Sequence, residues 1–187
     1  MAIFLSVESE MLVSLPPRFK MYSKEAGKMQ FPEVRNVHIF IRTFGYFDVF
    51  VDGVPILFRS EKAKELLALL VDRRGGYVSS AEAISILWEN EPLSDQTRSR
   101  YRKVAMRLKD TLEQFGVSEI MESTQGKRRI IADNVECDLF DYLIHGESAS
   151  SRFLGSYLRN YSWGEITLSE LMYLHEKRDE VDLLRSI

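Results

Sequence analysis

The sequence predicts an α+β fold: a small antiparallel sheet, three helices in close succession, a closing β-hairpin and a short helical extension. Three observations carry this reading. Apolar residues alternate from Val37 and run into Asp52-Gly53. Helical periods follow from Ser60 and again after Ser79. The window from Gln96 to Ile131 then joins a basic amphipathic run to a short alternating segment around Gly126-Lys127-Arg128-Arg129.

The opening sheet rests on strict alternation. Ile39, Ile41 and Thr43 face one way against Phe40, Arg42 and Phe44, and Phe47, Val49 and Val51 lead into Asp52-Gly53 before Ile56 to Phe58. Asp-Gly between apolar runs is a hairpin signal, because both turn positions take positive φ. Ser60 is placed to cap the first helix, whose apolar positions Ala63, Leu66, Leu67 and Leu70 follow the 3.6-residue period until Gly75-Gly76 closes it. After an extended piece at Tyr77-Val78, Ser79 or Ser80 opens a second helix with Ile84, Leu87 and Trp88 inward, ending before Pro92. Ser94 or Asp95 caps the third. On that helix Tyr101, Val104, Ala105, Leu108, Leu112 and Phe115 fall within an arc of about 100°, an ordinary core-facing stripe. Gly116 ends it, and Ile120-Met121 with Arg129-Ile130-Ile131 read as strands of a hairpin whose loop is Thr124 to Arg128. Three helices with short connections pack as a helix-turn-helix, and the hairpin that follows makes it a winged one.

Outside this block, residues 1–36 read as an irregular leader or linker, with Pro16-Pro17, a mixed-charge tract and Pro32. Residues 37–134 form the predicted winged-helix domain. Residues 135–187 form the extension, with helical candidates at Leu139 to Ile144, Phe153 to Leu158 and Ile166 to Leu184. In that extension Glu136 to Ile187 hold ten acidic and five basic residues.

A chain of 187 residues that is 45% hydrophobic has enough apolar surface for a sizeable core. The single cysteine, Cys137, excludes an intramolecular disulfide and suits a reducing compartment. Glu8 and Glu10 interrupt the apolar start and no basic segment precedes it, so no secretory signal is expected. No stretch is long and apolar enough for a membrane helix, and a cytoplasmic location is expected.

Charge is polarised. From Gln96 to Ile131 nine basic residues stand against four acidic ones, a local +5 in a chain of net −3. The overall acidity therefore does not exclude a polyanionic partner, because the field on one face decides. Arg98, Arg102 and Lys109 lie on one flank of the third helix and Arg100, Lys103 and Arg107 on the other, which suits a helix in a major groove with phosphates on both sides. Arg98, Arg100, Arg102 and Lys103, in its N-terminal half, are expected to approach bases or phosphates most closely. Ser94 and Thr97, with the free N–H groups of the helix start, are candidates to hold a phosphate. Lys127, Arg128 and Arg129 on the hairpin are expected to track the adjacent minor groove or its phosphates.

The residues in this order resemble the OmpR-type winged-helix DNA-binding domain, in particular its SARP-like branch in bacterial transcriptional regulators. Phe44-Gly45 with Val49-Phe50-Val51-Asp52-Gly53 is similar to the family's opening sheet, and Lys64-Glu65-Leu66-Leu67-Ala68-Leu69-Leu70 to its first helix. Leu87-Trp88 with Glu91-Pro92 matches the end of its second helix, and Arg107-Leu108-Lys109 with Leu112 its recognition helix. Downstream, Cys137-Asp138, Phe140 and Tyr142, then Gly155-Ser156-Tyr157-Leu158 and Tyr161-Ser162-Trp163, resemble the start of the helical transcriptional activation region, here cut short. The resemblance spans roughly Val37 to Leu174 and implies regulation of transcription through double-stranded promoter DNA. It further implies RNA polymerase as a partner and a two-component, phosphorelay ancestry. A receiver domain is not expected, since 36 irregular residues cannot build one.

Other features read as structural. Arg73-Arg74 suits the negative end of the first helix. His38, His145 and His175 are scattered, so no metal site is expected, and no cofactor or catalytic motif appears. Glu136, Asp138 and Asp141 read as a solvated or helix-capping edge, Cys137 as a buried small hydrophobe, and Tyr157, Tyr161 and Trp163 as packing residues. Leu171, Leu174, Val181 and Leu184 form a stripe that suits either homodimerisation or packing within the chain. The rival functional reading is a protein-interaction adaptor on a winged-helix scaffold that has lost DNA contact; basic residues retained on both helix and hairpin speak against it.

Overall fold

The order of elements follows from where the chain alternates and where it turns. A computed structural model describes residues 37–148 and 151–185, side chains at 179 and 182–185 excepted, and the predicted leader lies outside the described residues. Strand β1 (Ile39–Arg42) pairs antiparallel with β2 (Asp48–Val51), which pairs with β3 (Val54–Pro55). Asp52 and Gly53 take φ of 50° and 78°, the positive pair that a two-residue hairpin demands. Ile39, Ile41 and Val49 are buried while Phe40 and Phe50 meet on the other face with ring centres 6.1 Å apart. The sheet is mixed rather than purely antiparallel: β7 (Glu136–Cys137), from beyond the hairpin, pairs parallel with β1, giving the order β3-β2-β1-β7. Two residues long, β7 carries no strand signal of its own.

Helix α1 (Glu61–Asp72) carries its charged residues in its first half and at its end, while Leu66 to Val71 are wholly buried. Ser60 stands at its N-cap but contributes its carbonyl, not its hydroxyl: Ala63 and Lys64 N–H donate to it at 2.9 and 3.1 Å. Strand β4 (Val78–Ser79) leads into α2 (Ser80–Leu87), capped by Ser79, whose hydroxyl accepts from Glu82 N–H. Helix α3 (Asp95–Gln114) buries Tyr101, Val104, Ala105, Leu108 and Leu112, the stripe that the sequence predicts, with Phe115 half-buried at its end. Strands β5 (Met121–Thr124) and β6 (Lys127–Ile130) form the hairpin, and β4 joins β6 to make a second, three-stranded sheet. Its loop is only Gln125-Gly126, at φ 46° and 78°, shorter than the expected Thr124 to Arg128, because Gly126 allows the tight two-residue turn.

Helices α4 (Asp138–His145) and α5 (Glu165–Arg185) follow. The helix expected over Phe153 to Leu158 does not form. Gly155 (φ 70°) and Leu158 (φ 40°) break it, and Tyr157 instead bridges Phe44 in an extended pairing. Leu171 is buried, Leu174 half-buried and Val181 exposed, so the predicted stripe is divided between core and solvent, and the side chain of Leu184 lies outside the described residues.

The extension supplies the polar groups that α1 and β1 need. Asp72 and Glu65 on α1 are nearly buried. The Tyr157 and Thr167 hydroxyls each donate to Asp72 Oδ1 at 2.8 Å, and Trp163 Nε1 donates to Glu65 at 3.2 Å. Asp138, expected at a solvated or helix-capping edge, is 3% exposed at the start of α4. It accepts from Thr43 N–H at 2.8 Å, the Thr43 hydroxyl at 2.6 Å, Phe44 N–H at 2.9 Å and Leu139 N–H at 2.8 Å. Burial in place of solvation has a plain cause: β1 ends at Arg42, and the N–H groups beyond it have no strand neighbour, so a carboxylate fills the place. Cys137 is buried, and burial pushes its thiol well above the usual range. Among the described residues no helix is long and apolar enough to cross a membrane.

Burial likewise raises the Asp138 carboxyl above the ordinary aspartate range, against the lowering pull of its hydrogen bonds from Thr43, Phe44 and Leu139. A raised acid makes the folded state bind protons more readily than the unfolded one. Its contribution is thus full below the ordinary aspartate value of about 3.9 and declines as pH rises through the raised one. Chemical denaturation of Asp138→Asn across the acid range should lack that segment of pH dependence. Asp138→Ala, which strands several buried donors, should cost more than about 2 kcal/mol. Leu108→Ala, at a wholly buried position, should cost about 2–5 kcal/mol in the same assay.

Candidate nucleic-acid interface

Helix α3 presents one face to the core and the opposite face to solvent, and the start of the helix is fixed by a reciprocal cap. Ser94 Oγ accepts from Thr97 N–H at 3.2 Å, while Thr97 Oγ1 accepts from Ser94 N–H at 2.9 Å. Thr97 is 2% exposed and its hydroxyl also lies 3.0 Å from Ser94 O and 3.2 Å from Pro92 O. As a side-chain contact to phosphate Thr97 is therefore spent: the cap consumes it. Ser94, half-buried, has its hydroxyl engaged in the same way.

On the solvent face stand Arg98, Arg102, Lys103 and Arg107, all exposed, with Met106 at 58% exposure among them. Among the described residues no carboxylate pairs with any of these four cations. Arg102 Nε donates to Arg98 O at 3.3 Å along the helix. Lys109, one turn beyond, sits 3.5 Å from Glu113. Arg100 behaves differently. Its guanidinium lies 5.1 Å from the centre of the Trp88 ring and pairs with Glu91, both from the segment that connects α2 to α3.

The hairpin divides its basic residues by strand alternation. Lys127 is exposed beside the turn. Arg128 points the way of the buried Ile130, toward α3, where its Nη1 donates to the Tyr101 hydroxyl at 2.8 Å. Arg129 points the other way. Its Nε and Nη2 each lie 2.7 Å from Glu122 Oε2, its direct cross-strand neighbour, and its guanidinium lies 4.8 Å from the Tyr77 ring centre. Tyr77 in turn donates its hydroxyl to Glu122 Oε1 at 2.9 Å. Hydrogen bonds from Arg129 and Tyr77 hold the Glu122 carboxyl below its ordinary range, and the bond to Glu122 raises both Arg129 and Tyr77. Burial raises the Tyr101 phenol, against the lowering influence of Arg128.

Of the ten residues singled out from the sequence, five stand as exposed cations on one continuous pair of elements: Arg98, Arg102, Lys103, Arg107 and Lys127. Arg100, Arg128 and Arg129 are engaged within the protein, and Ser94 and Thr97 form the cap. The partners Trp88, Glu91, Tyr77 and Glu122 were not legible as such. The Glu122–Arg129 pairing follows only once the turn is set at Gln125-Gly126. No sequence signal links Trp88 to Arg100, which a non-helical connection brings together. A separate groove of about 880 Å³ between β1 and α4 is walled by Phe40, Phe44, Val135 and Phe140, and holds none of these cations.

The fold is similar to that of a solved structure. Mycobacterium tuberculosis EmbR in complex with a low affinity phosphopeptide matches with a TM-score of 0.59 at 21% identity, over 73% of this chain and 42% of that one. The likeness supports a winged-helix fold. At this identity it carries the fold alone, and the chain spans under half the length of EmbR. No protein-family model and no curated sequence matches the chain.

The Arg128–Tyr101 contact ties the hairpin to α3. Tyr101→Phe removes the acceptor and keeps the ring, and is expected to cost about 0.5–1.5 kcal/mol by chemical denaturation.

Proposed function

We propose that the region from Val37 onward binds double-stranded DNA in a sequence-dependent manner and serves as the output module of a transcription regulator. The observation that carries this is the solvent face of α3, where Arg98, Arg102, Lys103 and Arg107 stand exposed without carboxylate partners among the described residues. A surface helix with a solvated charge pattern usually mixes signs at i, i+4 spacing; here, beyond Asp95 at the first position, every charged residue from Arg98 to Lys109 is basic, with exposed Met106 among them. That face is wide enough for a major groove, and its two flanks meet the phosphates on either side. An arginine that reads guanine O6 and N7 contributes about 1–3 kcal/mol of discrimination, and Arg102, near the middle of the face, is the leading candidate.

The hairpin acts as the wing in this reading. Lys127, next to the turn, reaches the neighbouring phosphates, while Arg128 sets the angle of the wing against α3. Promoter DNA is the principal partner, and RNA polymerase the second for an activator. The winged-helix fold shared with EmbR supports the reading without deciding it. Among the described side chains of the predicted stripe, homodimerisation through α5 would use Val181, alongside Ile166 and Tyr173, which are also exposed.

Titration of a labelled duplex pool at several salt concentrations tests this. Neutralising about four to six phosphates gives a slope of log affinity against log salt near −4 to −5. Arg102→Ala with Lys103→Ala should flatten that slope by one to two units and weaken binding at least tenfold, with the thermal midpoint nearly unchanged. A slope near zero, or full binding by the double variant, would sink the model in favour of an adaptor.

A further inference from the structure

Two arginines of α3 and the hairpin share an arrangement that the other cations of those two elements lack, and that Arg42, over Phe50 and paired with Asp48, repeats on the first sheet. Arg100 lies 5.1 Å from the Trp88 ring centre and is paired with Glu91; Arg129 lies 4.8 Å from the Tyr77 ring centre and is paired with Glu122. Each guanidinium thus rests on an aromatic face and has a carboxylate on its hydrogen-bonding edge. One seat is at the start of α3 and the other on the hairpin, at the two ends of the proposed DNA contact. By contrast, Lys109–Glu113 is a simple helix-surface pair at 3.5 Å, with no ring beneath it.

A guanidinium donates to an anionic phosphodiester oxygen as it does to a carboxylate oxygen, and here each arginine meets one such oxygen, Glu91 Oε2 or Glu122 Oε2. Glu91 and Glu122 therefore occupy the position that a DNA phosphate would take. We propose that Glu91 and Glu122 are built-in phosphate surrogates, which keep Arg100 and Arg129 ordered for a phosphate and at the same time hold down the protein's sequence-independent affinity for DNA. The inference rests on the DNA-binding reading above and deepens it. On approach of a duplex each arginine exchanges its carboxylate edge for a phosphate while the aromatic seat keeps the guanidinium in place, and the displaced carboxylate then repels the backbone. Contacts of Arg102 and Lys103 carry no such opposing charge, so sequence-dependent contacts gain relative weight. The Tyr77 hydroxyl strengthens the hairpin seat by donating to Glu122 at 2.9 Å, which orients that carboxylate toward Arg129.

The test uses the full chain with Glu91→Gln, Glu122→Gln, the double substitution and, as a charge-matched control, Glu113→Gln. Binding to a non-specific duplex of about 25 base pairs is measured by fluorescence anisotropy at several salt concentrations. An exposed ion pair is weak, so each clamp substitution should tighten binding about two- to fivefold at low salt and the double by their product, since the seats lie on different elements. The salt slope should steepen by up to about one unit per clamp. Glu113→Gln should change binding less than twofold. Equal gains from Glu113→Gln would reduce the effect to net charge and overturn the proposal, as would unchanged or weaker binding by the clamp variants. Wild-type binding with unresponsive clamps removes the surrogates alone. Absence of binding by wild type and every variant at low salt removes both this inference and the DNA reading, whereas gain of binding by the clamp variants over a silent wild type supports both.

Discussion

The fold is arranged around a helix whose C-terminal half has no solvent side. Helix α1 buries six consecutive residues from Leu66 to Val71, a pattern no amphipathic helix shows, so it is covered by α2, α3 and β6 and by the extension together. Its C-terminal turn also carries Asp72, a negative charge at the negative end of the helix dipole and nearly out of water. Left alone, that combination would be strongly unfavourable. The Tyr157 and Thr167 hydroxyls and the Arg73 guanidinium together offset it, and two of those three groups come from beyond the hairpin. The resulting dependence is mutual: burial beside Asp72 pushes the Tyr157 phenol far above its ordinary range, so it remains a donor at any ordinary pH.

The same requirement places the basic face. Because Tyr101, Ala105, Leu108 and Leu112 are taken up by the core, rotation of α3 about its axis is fixed, and with it the outward direction of Arg102, Lys103 and Arg107. Asp138 performs a related task at the sheet. Its carboxylate gathers the N–H groups that β1 leaves behind at Thr43 and Phe44, so the strand ends at a defined place and α4 begins there. Neither function needs Asp138 or Asp72 to touch a ligand; both act by determining where rigid elements lie.

Much of this was legible in the sequence because the relevant signals are local. The Asp52-Gly53 turn, the Ser94 cap and the α3 stripe each depend on residues within a few positions of one another, where backbone sterics and helical period leave few choices. The remainder depends on residues far apart. Asp138 meets Thr43 across ninety-five positions, and a carboxylate in an acidic segment has the same appearance in sequence whether it is solvated or buried. The failed helix at Phe153 to Leu158 has a similar origin: local apolar spacing was outweighed by a tertiary pairing with Phe44. At the interface, counting basic residues found the correct helix and hairpin but could not separate exposed cations from those held inside the protein, since alternation on β6 sends Arg128 and Arg129 to opposite faces.

That separation changes how the charge of the region acts. A count of nine basic residues between Gln96 and Ile131 suggests a strong, undirected attraction to any polyanion. Pairing of Arg100 with Glu91, Lys109 with Glu113 and Arg129 with Glu122 removes three of those charges at short range, and Arg128 is turned toward Tyr101. Salt screens exposed charges over about 8–10 Å near physiological ionic strength, so a neutralised pair contributes little to steering an approaching duplex. What projects into solvent on α3 is the group Arg98, Arg102, Lys103 and Arg107, with Lys127 exposed at the hairpin turn. On the DNA-binding reading proposed above, a field confined in this way attracts weakly at distance and leaves discrimination to contact, which is the balance a protein needs if it must release non-specific DNA in order to find a particular site.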